Sequence, residues 1–162
     1  MTGFSNLVRL TARLCYTLSG CALAGIVLLT VTDVLLRMLK HPIVGTYELV
    51  GLLSAVVIGM SIPQSTLDHG HVLMDFLTNR FNPGLKNFLE VFTRLLGMVL
   101  FLVISWNLWC FGDDLRTAGE VSLTLQIPQF PVAYLIAVSA LIQSLVLLVL
   151  ALEKRKKRFS HE

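Results

Sequence analysis

Four long stretches of this 162-residue chain contain no Asp, Glu, Lys or Arg. They are residues 14–32, 49–67, 95–112 and 121–152, and all four are rich in aliphatic and aromatic residues. An α-helix rises about 1.5 Å per residue, so roughly 20 apolar residues are needed to cross the hydrocarbon core of a membrane. The pattern predicts an all-α integral membrane protein in which residues 1–162 form a single domain with four transmembrane helices. The first stretch exceeds the apolar part of a signal peptide, about 7–15 residues, so we expect a retained helix from about Ser5 to Leu39.

The Lys and Arg residues fall mostly on one side of these predicted helices. Four spans place both termini on the same side, and that side carries all of the 13 Lys and Arg residues except Arg37, Lys40 and Arg116. By the positive-inside rule, both termini are expected in the cytoplasm. The basic tail from Lys154 to Arg158 directly follows a span, which favours contact with anionic membrane lipids over binding of nucleic acid.

A short amphipathic segment separates the second and third spans. On a helix, His71, Asp75 and Asn79 would share a polar face, and Leu73 and Phe76 would lie on an apolar one. Such a pattern predicts a helix lying in the membrane interface. His71 and Asp75 could also share a metal, but zinc takes three or four ligands. Polar anchoring or a subunit contact is the favoured role, and no catalytic, cofactor or metal site is expected. The alternative is a small membrane redox or metal protein that uses these two residues.

Three ionisable residues flank the predicted turn between the first and second spans. Asp33 and Arg37 are one helical turn apart, and Glu48 follows a turn marked by Pro42 and Gly45. Charges near hydrocarbon depth are costly unless they are paired or functional. We expect Arg37 to contact at least one of the two carboxylates, either as a structural clasp of the hairpin or as part of a subunit contact.

The second span carries small residues at four-residue spacing: Gly51, Ala55 and Gly59. This pattern lets another helix approach closely. We expect a packing face for a helix of this chain or of another subunit.

The loop between the third and fourth spans combines a charged part with an alternating part. Asp113, Asp114, Arg116 and Glu120 make its start polar. Residues 121–127 then alternate between apolar and polar, which favours an extended segment. That segment is expected to lie along the helix tops. Pairing with another protein and a chance pattern are the alternatives.

The spans themselves lack the features of a transport pathway. Secondary transporters place broken helices and polar groups at the bilayer midplane. Here no span has a charge at its centre, and Pro63 lies near one end of the second span. The chain alone is not expected to transport a solute, although a self-assembling small channel or exporter remains an alternative.

Three segments, taken in order, resemble one family. They are "DVLLRMLKHPIVGTYEL" at 33–49, "GHVLMDFL" at 70–77 and "LTLQIPQFPVAYL" at 123–135. They are similar to segments of the small membrane subunit of tripartite ATP-independent periplasmic (TRAP) transporters, the DctQ type. The positions that match the family's pattern are Arg37, Pro42, Gly45, Glu48, Gly70, His71, Asp75 and Pro128.

The resemblance implies a non-enzymatic subunit in the bacterial inner membrane. Its partners would be a large multi-span permease subunit, on a separate chain, and a periplasmic binding protein that delivers an organic acid. The large subunit would bind the substrate and sodium, while the small subunit would need no cofactor and would extend the scaffold against which the transport domain moves. Asp113, Asp114, Arg116 and Glu120 then become candidates for docking the binding protein.

Overall fold

The computed structural model describes residues 2–69 and 83–159, which form four helices: α1 (Thr2–Met38), α2 (Thr46–His69), α3 (Pro83–Ala118) and α4 (Phe130–Phe159). Each helix contains a segment long and apolar enough to cross a membrane, namely Ser5–Met38, Thr46–Asp68, Val91–Ala118 and Phe130–Leu152. The prediction of an all-α chain with four spans is therefore confirmed. The predicted interfacial helix, with His71 and Asp75, lies outside the described residues, and so does Gly70 before it.

Helix α4 is the centre of the bundle. It packs against all three other helices, and α2 packs against both α1 and α4. In an apolar 18-residue segment of α4, 44% of the residues are buried, compared with 11% in the corresponding segments of α1 and α3. Helices α1 and α3 therefore flank the α2–α4 pair and leave wide apolar faces open, as lipid contact requires.

Each flanking helix contacts the bundle through one narrow stripe. Along this stripe the buried and half-buried positions are spaced alternately by four and three residues, which is the spacing of helices packed at a small left-handed angle. On α1 the stripe consists of Val8, Ala12, Cys15, Ser19, Ala22, Ile26, Leu29, Asp33 and Leu36. On α3 it consists of Arg94, Met98, Phe101, Ser105, Leu108, Gly112 and Leu115.

The two ends of the bundle differ in construction. At the terminal end, where the chain begins and finishes, Val8 and Ala12 of α1 form an apolar core with Val146, Val149 and Leu150 of α4. The opposite end, which we call the loop end, is formed by the α1–α2 turn and the α3–α4 loop. Its connections are held by polar contacts between segments distant in sequence.

The α3–α4 loop does not form the extended segment expected from its alternation. Val121 and Pro128 form an isolated antiparallel β-bridge, and the Ser122 N–H donates to the Ile127 carbonyl at 2.9 Å. Gln126 has a φ of 53°, which closes the turn. The segment therefore pairs with itself, because acceptors on α2 satisfy the N–H groups that an extended strand would offer to a partner. It does rest on the first turn of α2, as expected of a segment that lies along the helix tops.

Candidate assembly and docking sites

Asp33 links the end of α1 to the turn that follows. Its Oδ2 accepts a hydrogen bond from Arg37 Nε at 2.8 Å and lies 2.8 Å from Arg37 Nη2 in an ion pair, and its Oδ1 accepts a hydrogen bond from the Ile43 N–H at 3.0 Å. The Asp33 side chain is only 6% exposed, whereas that of Arg37 is 46% exposed. The Arg37 guanidinium also lies over the Tyr47 ring, 5.5 Å from its centroid. The hairpin thus buries the carboxylate and leaves part of the cation at the surface.

The turn between α1 and α2 has the geometry of a helix C-cap. The His41 N–H donates to the Leu36 carbonyl at 2.9 Å, and the Lys40 N–H donates to the Arg37 carbonyl at 3.0 Å. Lys40 occupies the left-handed position of this motif, with a φ of 62°. Pro42 follows two residues later, where a helix cannot continue.

Glu48 binds the α3–α4 loop rather than Arg37. Its Oε2 accepts from the Ser122 hydroxyl at 2.7 Å and from the Leu125 N–H at 3.1 Å, while its Oε1 accepts from the Thr124 N–H at 2.7 Å. The carboxylate therefore ties the loop to the first turn of α2. Of the two carboxylates expected near Arg37, Asp33 is the one that Arg37 contacts.

Gly45 holds the same loop through a close apolar contact. Its φ of +82° favours glycine, and a Cβ built on it would lie 2.4 Å from Leu125 Cγ. The Leu125 side chain therefore covers the backbone of the α1–α2 turn. Glu48 and Gly45 together hold the loop against α2 through one polar contact and one close apolar contact.

The loop end of α3 is fixed to α4 by Tyr134. The Tyr134 hydroxyl donates to Asp113 Oδ1 at 2.6 Å, and its ring centroid is 5.1 Å from that of Trp109. A Cβ on Gly112 would approach the Tyr134 ring to 2.7 Å, so a larger residue would not fit without movement. Asp113 therefore has a structural contact, although it is exposed like the other docking candidates Asp114, Arg116 and Glu120.

The small-residue stripe on α2 contacts α4 only in part. A Cβ on Gly59 would lie 3.1 Å from Ile136 Cγ1, whereas Gly51 has nothing within 4 Å of a built Cβ. Ala55, between them, is half-buried. Gly59 is thus a packing position of this chain, and Gly51 faces open space at which a helix of another subunit could pack.

Neutral hydrogen bonds join the helices inside the spans. Ser19 donates to the Val57 carbonyl at 3.1 Å, Ser105 to the Ala137 carbonyl at 2.8 Å, and Ser139 to the Gly59 carbonyl at 2.6 Å. The last bond has a particular cause. Pro63 lacks an N–H, so the carbonyl four residues earlier, that of Gly59, has no helical donor.

Two further side chains, Gln143 and Arg94, join the helices nearer the terminal end. Gln143 Nε2 donates to Thr66 Oγ1 at 2.8 Å, and Arg94 Nη1 donates to the Leu150 carbonyl at 2.6 Å. Sequence reasoning assigned no role to Ser139 or Gln143. Their four-residue spacing on a span with few polar residues was a signal that could have identified a polar face.

The described residues contain no group of three or more His, Cys, Asp or Glu side chains that could hold a metal ion. His71 and Asp75, on which the alternative metal hypothesis depends, are not among those residues.

Comparison with curated proteins and with solved structures gives no significant match. Residues 26–157 match the family model described as "Tripartite ATP-independent periplasmic transporters, DctQ component". This match covers most of the chain. It includes the Asp33 hairpin, the Glu48 attachment and the four spans, apart from residues 2–25 of α1. The protein therefore belongs to the DctQ family, the small membrane component of TRAP transporters.

Proposed function

We propose that this protein is the scaffold subunit of a sodium-driven TRAP transporter for the uptake of organic acids. It assembles with a large multi-span permease subunit in the bacterial inner membrane and serves a periplasmic binding protein. Both termini lie in the cytoplasm, so the loop end faces the periplasm. The large subunit binds the substrate and sodium, and this chain acts without catalysis and without a cofactor of its own.

The observation that carries this proposal is that polar groups within the spans bind neighbouring helices. The hydroxyls of Ser19, Ser105 and Ser139 donate to backbone carbonyls of neighbouring helices. A polar group in hydrocarbon that has found a protein partner holds helices together, whereas a transport pathway needs polar groups that can bind a solute. These side chains therefore support a fixed structural element.

The distribution of exposed surface also supports assembly. Helices α1 and α3 each contact the bundle through one stripe, and their remaining faces are apolar and open. Such faces suit lipid and the helices of a larger membrane partner. A Cβ built on Gly51 meets nothing within 4 Å among the described residues, so Gly51 offers a place where a partner helix can approach closely.

Reconstitution of the separate and combined subunits tests the proposal. The chain alone, the large subunit alone and the co-purified pair are placed in liposomes, and uptake of an organic acid is measured with the binding protein under an inward sodium gradient. We expect uptake only with the pair. Uptake by this chain alone, full uptake by the large subunit alone, or failure of the two subunits to co-purify would each overturn the proposal.

A further inference from the structure

Lys40 has a backbone conformation that is unfavourable for a lysine. Its φ is 62°, in the left-handed region just after α1, where helices usually place glycine or asparagine. A side chain with a Cβ is strained there because the Cβ crowds a neighbouring carbonyl oxygen. Such strain often marks a functional position. The turn needs only the left-handed backbone, so the lysine side chain requires an explanation of its own.

Arg37 supplies a second cation at the same turn. The Lys40 N–H donates to the Arg37 carbonyl at 3.0 Å, so the two residues are joined through the backbone. Asp33 binds one edge of the Arg37 guanidinium, and the Tyr47 ring centroid lies 5.5 Å from its central carbon. The Arg37 side chain is nevertheless 46% exposed. The guanidinium is therefore oriented in advance, which lowers the entropy lost when a ligand binds.

The carboxylates near these two cations are buried or bound to other groups. The Asp33 side chain is only 6% exposed and also accepts from the Ile43 N–H. Glu48 is half-buried and accepts from the α3–α4 loop. Lys40, in contrast, is exposed. The charge that residues 33–48 present at the surface is therefore positive.

The position of the two cations along the helices matches the level of lipid headgroups. The apolar segment of α1 ends at Met38 and that of α2 begins at Thr46, so the turn between them lies at the edge of the hydrocarbon. Tyr47, which is 80% exposed, is of the residue type enriched at membrane interfaces. Phosphate groups of a bilayer are therefore within reach of Lys40 and Arg37.

The helix next to these cations has an apolar face open to lipid. Four residues at spacings of four and three share this face, and each is more than half exposed: Val27, Val31, Val34 and Met38. An acidic protein patch would match the two cations but would not explain the apolar face that continues from them. A phospholipid matches both, since its phosphate is anionic and its acyl chains are apolar.

We propose that Lys40 and Arg37 bind the phosphate of a phospholipid whose acyl chain lies along residues 27–38 of α1. The Lys40 ammonium supplies a point charge, and the planar Arg37 guanidinium supplies donors whose geometry suits phosphate oxygens. The inference requires only that α1 crosses a membrane. It depends neither on the scaffold function nor on which side of the membrane the termini lie.

Photocrosslinking in a neutral detergent tests the site. Phosphatidylglycerol with a diazirine in its acyl chain is added in trace amounts to the full chain, and labelled peptides are identified by mass spectrometry. We expect labelling of residues 27–38, and a several-fold decrease in Lys40→Gly and Lys40→Asn, because a charge-assisted contact is lost. Lys40→Arg should keep the labelling. Diacylglycerol with the same diazirine chain lacks the phosphate, so it should label these residues weakly and equally in every variant.

The stability of Lys40→Gly separates lipid binding from the needs of the turn. In lipid-free detergent this variant should be more stable than the unmodified chain, because glycine relieves the left-handed strain. Added phosphatidylglycerol should raise the stability of the unmodified chain more than that of the variant, since a ligand stabilises the state that binds it. Arg116→Gln, which removes an exposed cation from the end of α3, is the matched control and should change neither labelling nor stability.

Three results would overturn the lipid site. Equal labelling of residues 27–38 in the unmodified chain and in Lys40→Gly would show that the lysine does not bind the phosphate. A loss of stability for Lys40→Gly in lipid-free detergent would show that Lys40 serves the turn itself, through the dipole of α1. Labelling of the chain alone that disappears in the co-purified pair would mean that the large subunit covers this face. Uptake by the reconstituted pair tests the proposed function separately.

Discussion

The loop end and the interior of the spans use different acceptors for their long-range hydrogen bonds. At the loop end, the carboxylates of Asp33 and Glu48 each accept from a backbone N–H of a connecting segment. Inside the spans, neutral hydroxyls such as that of Ser139 donate to backbone carbonyls, and the Gln143 amide donates to the Thr66 hydroxyl. A carboxylate can bind several donors at once, but its charge is costly in hydrocarbon. This chain therefore places its carboxylate attachments at the loop end and joins its helices within the spans mainly through neutral groups.

The largest effect is expected from overfilling the α2–α4 contact with Gly59→Leu. A Cβ at Gly59 would already lie 3.1 Å from Ile136, so a leucine forces the helices apart. Overpacking of this kind costs about 1–3 kcal/mol. The yield of folded chain in detergent should fall sharply. Gly51→Leu is the matched control, since none of the residues that the structure describes lies within 4 Å of a Cβ built there.

The same pair of variants tests assembly. Gly51→Leu should fold normally when expressed alone and should lose the large subunit on co-purification if a partner helix packs at Gly51. Ala55→Leu should fall between the two. Equal yields of folded chain for Gly51→Leu and Gly59→Leu would contradict the packing described for α2.

The second-largest effect is expected from Glu48→Ala, which tests the attachment of the α3–α4 loop to α2. This change removes the acceptor for the Ser122 hydroxyl and for the Thr124 and Leu125 N–H groups. The loop should open locally, so that a protease cleaves it faster by a factor on the order of ten. Glu48→Gln keeps one acceptor oxygen and should give a smaller increase. Helical content should stay the same in both variants, and unchanged cleavage would show that Gly45 and Leu125 hold the loop without Glu48.

Asp33→Ala and Arg37→Ala compare the two partners of the hairpin. Asp33 binds both Arg37 and the Ile43 N–H, whereas Arg37 is half exposed and binds one carboxylate. Loss of folded chain should therefore be greater for Asp33→Ala, and Asp33→Asn, which keeps an acceptor for Ile43, should be intermediate. Equal losses for Asp33→Ala and Arg37→Ala would mean that the ion pair, and not the backbone bond, fixes the turn.

The structure also changes the expected relation between Arg37 and Glu48. Residues that share no partner usually have additive effects on stability. Because Glu48 binds the loop and Arg37 binds Asp33, the losses of Arg37→Ala and Glu48→Ala should add in the double variant. If the double variant loses clearly less folded chain than the sum of the two single losses, Arg37 and Glu48 interact, as the sequence suggested.

The sequence could predict the features that depend on local spacing. Charge-free stretches longer than a bilayer crossing predicted the spans, and the four-residue separation of Asp33 and Arg37 placed them within reach of each other. The contact between Glu48 and Ser122 joins residues 74 positions apart, and no local pattern indicates it. The alternation of residues 121–127 was misleading for the same reason, because the acceptor that bends the segment lies on α2.

The smallest effect concerns the neutral bond between Ser139 and the Gly59 carbonyl. Ser139→Ala should destabilise the chain by about 0.5–1.5 kcal/mol, measured as a shift of the unfolding equilibrium in mixed micelles. The reason is specific: Pro63 cannot donate to the Gly59 carbonyl, so Ser139 is its donor at 2.6 Å.

In a Pro63→Ala background the new N–H can donate to the Gly59 carbonyl, and Ser139→Ala should then cost less. Pro63→Ala by itself also removes buried packing, so only the difference between the two Ser139→Ala effects is informative. Ser105→Ala is the control, because no proline removes the helical donor to the Ala137 carbonyl and its cost should not depend on residue 63. If Ser139→Ala costs the same in both backgrounds, Ser139 contributes through packing, and the proline does not explain why a serine lies there.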